Sequence, residues 1–186
     1  PRVDALTTST ALRGDASVVA SKRVAVSDPV RIVLGPLTQG KSLPVNVNRM
    51  QQRQQIGVAR GVAQTATVDL TATKWVWTTL PSGGKVAALS FTSDGAAAVR
   101  LGVVVDQLPA NALLRFHAPS SAQLFSVTGT AVQDALELNA RTEGRTVAAR
   151  TYWSPALEGS EAVIEIELPA GTPTASVAVS SPIPTT

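Results

Sequence analysis

Catalysis needs groups that take protons, attack or coordinate, and this chain carries few in a usable pattern. His117 is the one histidine, and there is no cysteine. A histidine-built zinc site uses two or three such ligands, and a thiolate site needs cysteines. No metal centre, disulfide framework or cofactor is therefore expected. A Ser-His-Asp triad needs base, nucleophile and orienting acid within hydrogen-bond reach. His117 stands at period two from Arg115 and Leu113 and opposite Phe116, which predicts an exposed or half-exposed strand residue rather than a base. The chain has no Gly-x-Ser-x-Gly elbow, and Gly57-Val58-Ala59-Arg60-Gly61 lacks the Lys-Ser/Thr end of a phosphate loop.

Paired carboxylates are the next possibility, since glycosidases use two. Glu165 and Glu167 alternate along one strand and lie about 7 Å apart by strand geometry. Alternating glutamates also keep an outer sheet face soluble, and this plainer reading is preferred. Trp75 and Trp77 share a strand face at i and i+2. They suit either a core edge or a platform for a glycan or peptide, and the core edge is the commoner use of such a pair. Tyr152-Trp153 is expected to be structural, with one ring on each face of its strand. Arg49, Arg53 and Arg60 form a spaced basic group that could face an acidic partner.

The elements that must position these residues are mostly strands. Valine and threonine occur in short runs among 13 glycines and 12 prolines, which favours strands and turns. Ser17–Val26 and Pro29–Leu34 read as strands split by the turn Ser27-Asp28-Pro29. Met50–Gln55 reads as a solvated loop, and Ile56–Arg60 as extended. Thr65–Leu70 and Lys74–Thr79 alternate, and Pro81–Gly84 turns the chain. Lys85–Thr92 leads into Ser93-Asp94-Gly95, a hairpin signal. Ala96–Val105 sets Val99, Leu101, Val103 and Val105 on one face. Leu113–Ala118, Arg145–Trp153, Ala162–Leu168 and Ser176–Val179 complete the strands. Val132–Leu138 suits a short helix or an irregular strand. Turn signals every 8–12 residues or so describe an all-β domain of β-sandwich or jelly-roll-like form. The expected organisation is a polar N-terminal extended arm over residues 1–16, the sandwich over 17–180 and a linker-like tail over 181–186.

Charge is divided unevenly. Residues 1–60 hold nine Lys or Arg against three Asp, whereas residues 61–186 hold seven basic and ten acidic residues. The basic residues form no block of five or six, which argues against nucleic acid. They fit either an acidic partner or the acidic half of this same chain. No apolar run approaches the roughly 20 residues that span a bilayer. The chain starts at Pro1 rather than Met, so it is expected to be either processed or part of something longer, and a missing N-terminus is where a signal peptide would stand.

An ordered series of short motifs then carries a resemblance. It runs through Gln55–Arg60, Trp77, Ala96–Gly102, Leu108-Pro109 and Leu113–Phe116. It continues through Tyr152–Pro155 and Glu158-Gly159 to Ile164–Pro169. Over residues 50–180 the chain resembles the N-terminal region that precedes the protease module in bacterial lysyl-endopeptidase-type, trypsin-like serine proteases. The resemblance implies a secreted precursor made of signal peptide, N-terminal β domain and chymotrypsin-fold protease. It implies a non-catalytic propeptide or accessory domain that assists folding, inhibits the protease, or both, with the protease module of the same precursor as partner. The alternative is a secreted carbohydrate- or peptide-binding β-sandwich module.

Overall fold

A computed structural model describes residues 29–35 and 60–181. The expected Ser17–Val26 strand, the arm and the Met50–Gln55 loop lie outside these residues, as do Arg49 and Arg53. The described chain folds mainly as strands in three sheets, the all-β class expected. The largest sheet has the order β1-β3-β10-β6-β7, with β2 also on β3. Its strands are β1 (Val30–Leu34), β2 (Thr78–Thr79), β3 (Lys85–Ser93), β6 (Leu113–His117), β7 (Leu124–Thr128) and β10 (Glu161–Leu168). A second sheet joins β11 (Ala178–Ser180), β5 (Gly102–Gln107) and β8 (Thr151–Trp153), and a small ladder joins β4 (Ala98–Val99) to β9 (Leu157–Glu158). β1 runs parallel to β3, from Val30↔Leu89 to Leu34↔Ser93.

The core forms between the two larger sheets. β10 supplies Ala162, Ile164, Ile166 and Leu168, and β5 faces them with Val103 and Val105. Period-two alternation explains this division, since successive strand side chains point to opposite faces. Leu114 and Phe116 enter the same core from β6, as their spacing predicts. Tyr152 stacks on Phe116 with ring centroids 6.1 Å apart, whereas Trp153 is 49% exposed. The expected placement of one ring on each face holds.

Several local expectations are corrected. Thr65–Leu70 is not a strand: it forms a 3-10 turn at Ala63–Thr65 and then α1 (Val68–Ala72). Thr67 caps α1 by accepting from the Leu70 amide at 3.2 Å, and Thr71 Oγ1 donates to the Thr67 carbonyl at 2.7 Å. Such bonds offer the backbone an alternative to a ladder. Of the expected Lys74–Thr79 strand, only Thr78–Thr79 pairs. Within Arg145–Trp153, the Thr146 hydroxyl accepts from the Ala149 amide at 3.1 Å. That bond winds Ala148–Arg150 into a 3-10 turn and leaves only Thr151–Trp153 as strand. The turn at Ser93 closes through the Ala96 amide at 3.1 Å. It does not make a hairpin, because the next strand, β4, pairs with β9 rather than with β3.

The ambiguous stretch after β7 is a helix, α2 (Gly129–Glu143). Thr128 accepts from the Ala131 amide at 3.2 Å, an N-cap. Gly144, at φ 67°, ends it. The N-terminal turn seats tightly on the Pro109–Ala112 turn: the Gly129 amide donates to the Ala112 carbonyl at 2.7 Å. A Cβ on Gly129 would lie 1.9 Å from the Pro109 carbonyl oxygen. Gly129→Ala is therefore expected to lower stability by about 1–3 kcal/mol, the usual cost of overpacking. Chemical denaturation checks this, and an unchanged midpoint would place the helix start away from this turn.

Candidate functional site

The polar residues singled out by sequence converge on the face of the large sheet that points away from the core. Register does this. Glu165 lies across from Arg115, and Val163 across from His117. Arg115 Nη2 donates to Glu167 Oε2 at 2.6 Å, and its Nη1 stands 3.9 Å from Glu165 Oε2. His117 Nε2 lies 3.2 Å from Glu165 Oε1. One guanidinium thus bridges both glutamates, and the imidazole completes the group. At the far end of β10, the Ser90 hydroxyl donates to Glu161.

This corrects the expectation of a solvated glutamate face. The Glu165 side chain is 7% exposed and that of Arg115 is 5% exposed, while Glu167 keeps 27%. Charges so enclosed persist only when paired, because desolvation is otherwise too costly. His117 is also more enclosed than expected, at 12%. Its contact with Glu165 is half of a base–orienter pair. The other half of a triad is absent among the described residues: His117 Nδ1 and the buried Ser126 hydroxyl each lack a hydrogen-bond partner. The two glutamates are engaged with Arg115 and His117 rather than set around an open space for a sugar ring. Sequence reasoning found both glutamates and His117 but did not single out Arg115. The signal was present, because Arg115 shares the period-two face of His117 on a strand that must pair.

The tryptophan pair is placed differently. Trp75 is buried within the core, and Trp77 packs against it. Their ring centroids are 6.2 Å apart and tilted by 39°. Val76 between them is 63% exposed, so the alternation is real and turns both rings inward. Trp75 also lines a narrow apolar cleft with Thr71, Leu89, Leu101 and Val179. On the outer side, Trp153 lies flat over Gly102, where an added Cβ would meet the ring at 2.9 Å. The Arg100 guanidinium carbon stands 5.5 Å from the Trp153 ring centroid, a cation–π distance. Burial pushes the Tyr152 hydroxyl above its ordinary pKa, and nearby Arg100 partly opposes this. Arg60 donates to the Gly35 carbonyl and, at 3.3 Å, to the Ser93 hydroxyl. It therefore ties the start of the second described segment to the end of β1.

The architecture defines an all-β domain in which Arg115, His117, Glu165 and Glu167 cluster on one sheet. The chain belongs to the lysyl endopeptidase N-terminal domain family, whose sequence profile matches residues 33–183. It is similar to the lysyl endopeptidase of Pseudomonas aeruginosa, with 32% identity over 120 residues, covering 62% of this chain and 22% of that protein. The chain thus spans about a fifth of that relative's length. No solved structure matches it. The resemblance read from the ordered motifs holds, and the matched range begins before the residue 50 expected. Among the described residues, no helix is long and apolar enough to cross a membrane.

Two mutational outcomes follow. Arg115→Ala leaves enclosed carboxylates without their cation and is expected to lose about 3–5 kcal/mol in denaturant unfolding. A loss no larger than that of an exposed ion pair would mean that water reaches the cluster. Trp75→Ala is expected to cost about 3–5 kcal/mol, as for other large core aromatics, and Trp153→Ala clearly less. Thermal unfolding of the two variants checks the order, and the reverse order would make Trp75 a surface ring.

Proposed function

We propose that this chain is the N-terminal propeptide or accessory domain of a secreted serine protease precursor, with residues 17–180 as its folded body. In this reading it performs no catalysis by itself and acts on the protease module as folding assistant, inhibitor or both. The observation that carries the reading is the family match over residues 33–183. The relative's printed name makes it an endopeptidase, and its similarity to this chain occupies 22% of its length. The mutual pairing of Arg115, Glu165, Glu167 and His117 supports a structural use of these four residues. The burial of Trp75 weighs against the alternative of a glycan or peptide platform on the Trp75/Trp77 face.

Folding physics makes the role sensible. Chymotrypsin-like proteases are rich in non-local strand pairing, and such topologies fold slowly. A preformed β domain that binds the native protease stabilises it by mass action, and covalent linkage in one precursor raises its effective concentration. Later proteolysis would release the active enzyme.

The test is to refold the denatured protease module of the same precursor with and without this chain in trans. The recovered activity is then assayed, along with the activity of native protease titrated with the chain. The expected result is a higher refolded yield, inhibition, or both. Unchanged yield together with unchanged activity, at micromolar chain, would reject the role.

A further inference from the structure

A protease cuts a folded chain where several residues can leave the structure together and lie extended in its active site. Burial and hydrogen bonding of the backbone therefore decide the place. Most basic residues of the described body are closed to this. Lys85 is paired on both sides, with Thr79 of β2 and Leu168 of β10, and Arg115 stands between β10 and β7 in the same way. Arg31 is held in β1 along β3. Lys74 precedes Trp75, which sits in the core. After Arg100, the Leu101 amide donates to the Ser154 hydroxyl and the Leu101 carbonyl accepts from the Ser154 amide, both at 2.9 Å. Arg150 runs into β8, where Thr151 pairs with Val104. The Arg60 guanidinium is taken by Gly35 and Ser93.

The segment after α2 is the exception. Every residue from Ala140 to Ala148 is exposed, and Gly144–Val147 belongs to no helix or strand. Gly144 ends the helix at φ 67°, and a Cβ added there would meet nothing within 4 Å. Opening this span therefore gives up little packing. Arg141 is exposed too, but it lies within α2, whose backbone bonds hold it.

We propose that the Arg145–Thr146 bond is a cleavage site, at which the folded domain is opened by an endoprotease that takes arginine in its specificity pocket. Water adds across the peptide bond and leaves the Arg145 carboxylate and the Thr146 amine. Both described lysines, Lys74 and Lys85, are closed, so a protease directed at lysine is kept out of the folded body while one directed at arginine is admitted. The place of the cut matters for the fold. β8, β9, β10 and β11 follow it, whereas β3, β5 and β6 precede it. β10 pairs between β3 and β6, so the cut turns the central pairing of the large sheet into an association of two chains. The effective concentration that a continuous chain supplies is then lost. A single cut in an exposed span ends the domain as one cooperative unit. This inference is independent of the protease-assisting role.

Brief native digestion of the 186-residue chain tests it, with an arginine-specific and a lysine-specific endoprotease in parallel and the cuts mapped by mass spectrometry. Within residues 60–181, the first cut by the arginine-specific enzyme is expected after Arg145, and it is expected to be lost in Arg145→Gln. The lysine-specific enzyme is expected to leave this body uncut, and to cut it after position 145 in Arg145→Lys. The nicked chain is expected to unfold at lower denaturant, with a midpoint that falls further on dilution. A first cut after any other described arginine, Arg141 included, would overturn the proposal. So would cleavage after Lys74 or Lys85 that keeps pace with cleavage at position 145 in Arg145→Lys. An unfolding midpoint unchanged by the nick would overturn the loss of the domain as one unit.

Discussion

The pairing of β10 between β3 and β6 is the constraint on which the remaining structure rests. Its eight residues, Glu161–Leu168, alternate strictly, and pairing on both sides leaves them no freedom of register. One set of side chains, Ala162, Ile164, Ile166 and Leu168, forms the middle of the core. The other set carries every glutamate of the strand. A slip of one residue would drive the glutamates into the apolar layer and expose the isoleucines, which is why such a strand specifies its register strongly. The strands that flank it are positioned by this choice, and the smaller sheet then packs its valines on the face so defined.

The charged side of β10 adds a second specification. Arg115 on β6 meets Glu165 directly across the ladder and reaches Glu167 diagonally, so only one alignment of β6 on β10 pairs all three charges. An enclosed ion group contributes less to stability than its Coulomb energy suggests, because desolvation offsets most of the attraction. Its effect is larger on misaligned states, where a carboxylate would be enclosed without a cation. Apolar alternation and charge pairing therefore select the same register from opposite faces of one sheet.

This arrangement bears on the proposed role beside a protease. A domain that aids the assembly of another fold must itself form readily and stay formed. A sheet whose register is determined on both faces meets that need. Arg115, His117, Glu165 and Glu167 are engaged with one another on this sheet. The exposed Trp153, held between Gly102 and Arg100, shows the same economy: an aromatic ring on the outer side is tied down by its own neighbours.

The sequence by itself determined the fold class, the strands β3, β6 and β10, the inward faces of β6 and β10, and the family. All of these rest on period-two alternation or on short ordered motifs, which are local properties of the chain. It also isolated His117, Glu165 and Glu167 as the ionisable residues of interest. Tertiary structure decided the rest. Whether Thr65–Leu70 or Arg145–Arg150 would become strand depended on threonine hydroxyls competing with ladder partners that only the folded chain supplies. Whether Ser93-Asp94-Gly95 would close a hairpin depended on the partner of β4, which is β9. Whether the glutamates would meet water depended on Arg115 lying opposite, across a sequence separation of 50 residues between Arg115 and Glu165. Alternation tells which way a side chain points, but burial and charge pairing are set by what arrives there from elsewhere in the chain.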